Sequence, residues 1–173
     1  MSKKITSLFN FKKLQKFSSA LMLPIAILPA AGLILAIGIS FNIELLANCG
    51  GLIFANLPLL FCVGIVIGLT GDGSSSLSAI ISYMIMNATM GTQLGITAES
   101  VAASNGDYAM ILGVPTLQTG VFGGLIVAIF VYLLYTRFHN IELPQFLGFF
   151  GGKRFVPIIT AVAAIIVGYL LPW

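Results

Sequence analysis

The chain has 173 residues, 58% of them hydrophobic and 8% charged, with a net charge of +3 and a mean hydropathy of +1.07. A soluble domain carries about a quarter charged residues, and a disordered segment is poor in apolar ones, so both classes are excluded. Nineteen glycines and seven prolines without a fixed period exclude collagen, which leaves an all-α integral membrane protein.

Residues 1–18 are a basic segment with Lys3, Lys4, Lys12, Lys13 and Lys16. Within residues 8–17, Phe11, Leu14 and Phe17 share one side of a helix and the lysines the other, with Phe9 breaking the pattern. An amphipathic helix on the inner membrane surface and a basic flank that only sets topology both fit. Residues 19–173 hold about five predicted spans. The first, 19–41, would be ~34 Å long at ~1.5 Å per residue, enough for a ~30 Å hydrocarbon core. Pro24 and Pro29 predict a kink in it. Ala30-Ala31-Gly32 resembles a signal-peptide cleavage site, but the apolar run is too long for one and four more spans follow, so the helix is read as retained.

The second span, 52–70, opens on Asn56 and Pro58 and carries Gly64 and Gly68, four apart. The third, 74–95, is less apolar, with Ser74, Ser78 and Ser82 on one stripe and Asn87 and Thr89 beyond. Such hydroxyls either bond back to their own helix or face protein or water. The fourth, 119–136, has Gly120 and Gly124, again four apart, and the fifth is 155–173. Glycines at this spacing let helix backbones approach closely where lipid gives no hydrophobic drive, so Gly64, Gly68, Gly120 and Gly124 are predicted helix-packing positions.

The charges orient this map. All eight basic residues lie in the N-terminal tail or between 137 and 154 (Arg137, Lys153, Arg154), whereas the 42–51 and 96–118 connections carry Glu44, Glu99 and Asp107 and no base. Five spans with a cytoplasmic N-terminus put every base inside; removing one would misplace the last cluster. The clusters flank apolar runs, so no nucleic-acid partner is expected.

Residues with obvious chemistry are few. No ionisable side chain falls in the middle of a span, which argues against a proton-driven pump. His139, the one histidine, reads as an interfacial polar residue beside Arg137 and Asn140. Cys49 and Cys62 suggest neither a disulfide nor a metal pair. No nucleophile triad, zinc spacing or P-loop is present, so no catalytic residue, metal or cofactor is predicted.

Four stretches carry a family resemblance: Ala20–Gly32; Ile53–Phe61 with Gly64 and Gly68, running into Asp72-Gly73; Pro115–Gly124; and Leu143-Pro144 followed by Leu147–Pro157 with its Gly-Gly-Lys-Arg-Phe run. They resemble the membrane-embedded IIC component of phosphotransferase-system sugar permeases, glucose/glucosamine-type branch, with N-acetylglucosamine and maltose members sharing the fold. The resemblance implies a multi-pass protein of the bacterial cell membrane, a homodimer in contact with lipid. It also implies uptake of a sugar, glucose first, coupled to phosphorylation from phosphoenolpyruvate through partner IIA and IIB domains. A family IIC domain is about twice this long. Its sugar-contacting His and Glu lie in the later half and its phosphorylated Cys lies in IIB, and none has a counterpart here. The chain is therefore read as the N-terminal half of a IIC domain, a truncated reading frame or a fragment. The remaining readings are a non-catalytic scaffold dimerising with a full-length permease, which the glycine pairs motivate, and an unrelated small transporter.

Against that background Lys153 and Arg154 are candidates for lining the inner exit or meeting IIB, where a cation would attract a phosphorylated sugar; positive-inside anchoring at headgroups is the alternative. Gln118 and Thr119 are further substrate-path candidates, Gln118 for touching an entering sugar at the outer end; the alternative there is capping of the fourth span, by Thr116 or Thr119.

Overall fold

The computed structural model describes residues 11–142 and 144–173. Helix α1 runs unbroken from Phe11 to Ser40 with Pro24 and Pro29 inside it. From Phe11 onward the basic segment is thus continuous with the first span; residues 8–10 of the surface-helix reading lie outside the described residues. α2 (Glu44–Ala55) and α3 (Leu57–Thr70) cover the predicted second span and meet in a bend of 57° at Asn56. The bend follows from Pro58, which has no N–H to donate and whose ring crowds the preceding turn. The Asn56 amide donates to the Leu52 carbonyl at 2.9 Å, which puts its side chain on the backbone beside the break. The span begins at Glu44, earlier than the predicted Leu52, because α2 turns back directly along α1.

Close backbone approaches give the arrangement of the helices. Gly38 abuts Ala47, Gly50 abuts Leu35, Gly64 abuts Pro24 and Gly68 abuts Ala20. The bent α2–α3 pair therefore lies antiparallel along α1. α4 (Gly73–Gln93) follows after a two-residue turn. The long helix α6 (Gly120–Phe138) runs parallel to α3, with Gly124 on the Pro58 carbonyl. The last helix, α7 (Phe155–Leu170), runs parallel to α4, with Gly168 on the Met86 carbonyl.

Among the described residues three stretches, Gln15–Ser40, Gly120–Phe138 and Gly152–Leu170, are long and apolar enough to cross a membrane, and the bent pair meets the same length and apolarity when taken as one unit. α4 fails on hydropathy, not length: its 21 residues reach ~31 Å. Its polar side chains Ser75, Ser78, Ser82 and Asn87 are buried against α3, α6 and α7. Cys62, Ile65 and Val66 of α3, Tyr83 and Met86 of α4, and Val127 and Val131 of α6 make the core. Leu33, Phe122, Leu133 and Ile166 face outward, as lipid requires. The result is an all-α membrane protein.

One element departs from pure helix. The 96–118 connection holds a short helix α5 (Ala98–Ala103) and an antiparallel hairpin, β1 (Tyr108–Ile111) with β2 (Val114–Leu117). Leu112 (φ 52°) and Gly113 (φ 81°) turn it, the left-handed pair that suits strand twist. The Pro115 carbonyl rests on Gly91, so the hairpin covers the end of α4. At the opposite end lie two short 3₁₀ turns, Gln145–Phe150 and Gly152–Arg154.

Candidate functional site

The polar centre of the molecule is built around Asp72. Gly71 ends α3 in the left-handed conformation (φ 69°) that a side chain would strain. Asp72 is then extended and caps α4, its Oδ1 accepting from the Ser74 N–H at 3.1 Å. The Ser75 hydroxyl adds a bond to the Asp72 carbonyl at 2.7 Å, and Thr70 Oγ1 lies 2.6 Å from Ser75 Oγ. This fixes the carboxylate at the end of the bundle. Two further groups converge on Oδ2: the Tyr135 hydroxyl from the last turn of α6 donates at 2.7 Å, and the Lys153 ammonium lies at 2.8 Å. The Lys153 and Tyr135 hydrogen bonds, then the Ser74 N–H, hold the carboxyl well below the usual carboxylate range.

Around this cluster the side chains are ordered by stacking. His139 lies over Tyr135 with ring centroids 5.0 Å apart. Its Nδ1 is 2.9 Å from the Tyr135 carbonyl, which can only accept, so Nδ1 carries the proton. Arg154 turns the other way: its guanidinium sits 4.9 Å from the Phe149 ring centre and donates weakly to the Phe149 carbonyl at 3.4 Å. Neighbours in sequence, Lys153 faces into the cluster and Arg154 along the surface. Lys16 lines a recess with Leu69 and Tyr132, so the described bases Lys16, Arg137, Lys153 and Arg154 gather at this end of the bundle, while Glu44, Glu99 and Asp107 lie at the other.

Gln118 and Thr119 are at that other end, separated from Lys153 by the length of α6, ~28 Å for its 19 residues. The four candidates are thus two pairs, not one site. Gln118 is exposed, and its N–H closes the hairpin on the Asp107 carbonyl at 2.9 Å. Thr119 occupies the N-cap position of α6 without a side-chain capping bond, and Thr116 is fully buried; neither hydroxyl has a partner among the described residues. The capping expected of them is therefore absent. The serine stripe divides: Ser78 bonds back to the Ser74 carbonyl at 2.8 Å, while the buried Ser74 and Ser82 hydroxyls make no such bond. Among the described residues no three His, Cys, Asp or Glu side chains gather as for a metal.

The glycine positions also separate. Cβ atoms at Gly64 and Gly68 would stand 2.8 Å from the Pro24 ring and 2.6 Å from the Ala20 methyl, and Gly124 would overlap the Pro58 carbonyl. Gly120 has open space but a φ of 56°, so it shapes the start of α6. The sequence shows Asp72 only as the end of a motif stretch, an Asp between two glycines joining two apolar runs, and carries no signal for Tyr135.

The family model described as "Phosphotransferase system, EIIC" matches residues 18–173. The chain belongs to that family. It is 44% identical, over 94% of its length, to the "PTS system glucose-specific EIICBA component" of Staphylococcus saprophyticus subsp. saprophyticus, and spans 27% of that relative. In this EIIC chain the four motif stretches touch one another. Ala20 and Pro24 meet Gly68 and Gly64, Pro58 meets Gly124, and Lys153 meets Asp72.

Proposed function

We propose that the chain forms part of the membrane component of a phosphotransferase-system permease that takes up a sugar, with glucose as substrate, coupled to its phosphorylation from phosphoenolpyruvate. The observation that carries this reading is the 44% identity to a glucose-specific relative along 94% of the chain. IIB and IIA domains, the other parts named in that relative, are the partners that would deliver the phosphoryl group. Cys62 is given no part in that transfer: it is buried in the core, its thiol lying 3.8 Å from the Ala79 carbonyl.

In this reading the cluster around Asp72 stands at the cytosolic mouth, with Lys153 and Arg154 beside the path of the phosphorylated product or facing IIB, and Gln118 at the outer entrance. A homodimer embedded in lipid belongs to the same proposal. The scaffold alternative draws less support, since Gly64, Gly68 and Gly124, which motivate it, are occupied by contacts within the chain.

A chimera tests the proposal. Residues 18–173 would replace the matching segment of the Staphylococcus glucose-specific component, in cells lacking their own glucose permease. Phosphoenolpyruvate-dependent uptake should return for glucose ahead of N-acetylglucosamine and maltose. A chimera that inserts normally yet supports no phosphoenolpyruvate-dependent uptake would overturn the permease reading, and one that loses glucose while gaining either competing sugar would show that residues 18–173 favour another substrate.

A further inference from the structure

We propose that Asp72 is the hub of a two-part latch, in which the tie to Tyr135 is permanent and the tie to Lys153 is releasable. Both partners share one carboxylate oxygen, Oδ2, while Oδ1 keeps the Ser74 N–H. The two ties differ in burial. The Asp72 side chain is 15% exposed, the Lys153 side chain 61%, and Tyr135 is buried in α6. When Lys153 leaves, its ammonium enters water, and the carboxylate keeps the Ser74 N–H and the Tyr135 hydroxyl, so opening strands no buried charge. When Tyr135 leaves, a phenol is left without a partner between α3 and α6, which is costly.

Lys153 lies in the three-residue 3₁₀ turn Gly152–Arg154, with Gly152 at φ 63°; the Gly152 N–H bonds to the Ile141 carbonyl at 2.9 Å, and the turn packs on α4, α6 and α7. The Lys153 side chain can therefore swing off the carboxylate into water while the turn stays packed and α3, α4 and α6 stay joined through Asp72 and Tyr135. Release frees the already exposed Lys153 cation from its carboxylate, so that it can pair with an anion on that side.

The test is amine acetylation of the full chain in nanodiscs, where both faces meet the reagent, read as the rate at Lys153 relative to the exposed Lys16. Asp72→Asn keeps the cap and removes the ion pair; the ratio should rise about two- to fivefold, the range an exposed pair supports. Tyr135→Phe should leave the ratio unchanged while lowering the unfolding temperature. In the unaltered chain, raising sodium chloride to about 1 M should raise the ratio with no change in unfolding temperature, because salt screens the exposed tie; this arm needs no variant to fold. A ratio insensitive to both salt and Asp72→Asn, or one that rises equally in Tyr135→Phe, would overturn the division into fixed and releasable halves.

Discussion

Gly124 lies directly against the carbonyl of Pro58, at the first turn after the bend between α2 and α3. Four residues earlier Gly120 touches nothing, but holds a left-handed φ of 56°. The same residue type thus serves for two different reasons, and substitution should separate them. Gly124→Ala should destabilise by ~1–3 kcal/mol through overpacking, and Gly124→Asn at least as much. Gly120→Ala should cost ~1–2 kcal/mol as backbone strain, largely recovered in Gly120→Asn, since Asn tolerates that region. Thermal unfolding of the four variants in one detergent checks this; equal losses for the two Asn variants would contradict it.

Asp72 should make stability depend on acid. Its carboxyl sits below the ordinary range because of Lys153, Tyr135 and Ser74. A folded value lower than the unfolded one means the unfolded chain binds the proton more readily. The stabilisation is therefore complete above the unfolded value of ~4 and fades as pH falls toward the folded value. Because Lys153 is largely exposed, the effect should be about 1 kcal/mol, a few degrees of unfolding temperature. Unfolding temperatures between about pH 6 and pH 3 should fall less steeply in Asp72→Asn than in the unaltered chain. Parallel curves would remove Asp72 from the acid response.

Much of this fold is legible in the sequence, because the bilayer imposes a simple rule of length and apolarity. Gly64 and Gly68 mark a close helix contact in the sequence, although not that Pro24 and Ala20 of α1 are what they meet; Pro24 reads there only as a kink. The hairpin was not anticipated: its turn is Leu112-Gly113 rather than Asn-Gly, and Pro115 lies within β2, where a proline usually argues against a strand. Asp72 stands out in the sequence only as part of a motif stretch, because nothing local shows what its carboxylate meets. Its importance depends on Tyr135 and Lys153, 63 residues away and farther, and only the parallel packing of α3 with α6 and α4 with α7 brings them together.

The serines of α4 look alike in sequence and should behave differently. Ser78 donates to its own helix at 2.8 Å, whereas the Ser82 hydroxyl is buried without a partner among the described residues. Removing an unpartnered buried hydroxyl relieves a desolvation cost of ~1–3 kcal/mol, less what the small void costs. Ser82→Ala should therefore be neutral or stabilising, and Ser78→Ala mildly destabilising, by ~0.5–1.5 kcal/mol. Denaturant or thermal unfolding of the pair gives the comparison, and a Ser82→Ala loss larger than that of Ser78→Ala would show that Ser82 has a partner after all.

Sidedness is open to direct measurement, and the placement of exposed asparagines at opposite ends makes it sharp. Asn105 lies in the connection that carries α5 and the hairpin, together with Glu99 and Asp107; Asn140 follows α6 at the end that gathers Arg137, Lys153 and Arg154, and both are exposed. Lysine and arginine near span ends remain on the cytosolic side. In a background of Cys49→Ser and Cys62→Ala, a membrane-impermeant maleimide on intact cells should label Asn105→Cys, and should reach Asn140→Cys only after permeabilisation. The parallel pairing of α4 with α7 requires both helices to run the same way, with Asn105 and Asn140 at opposite ends of the bundle, so one reversed result would be incompatible with the packing as well as with the charge rule. Labelling of Asn140→Cys in intact cells would place the Asp72 cluster outside and remove the basis for reading it as the mouth through which a phosphorylated sugar leaves.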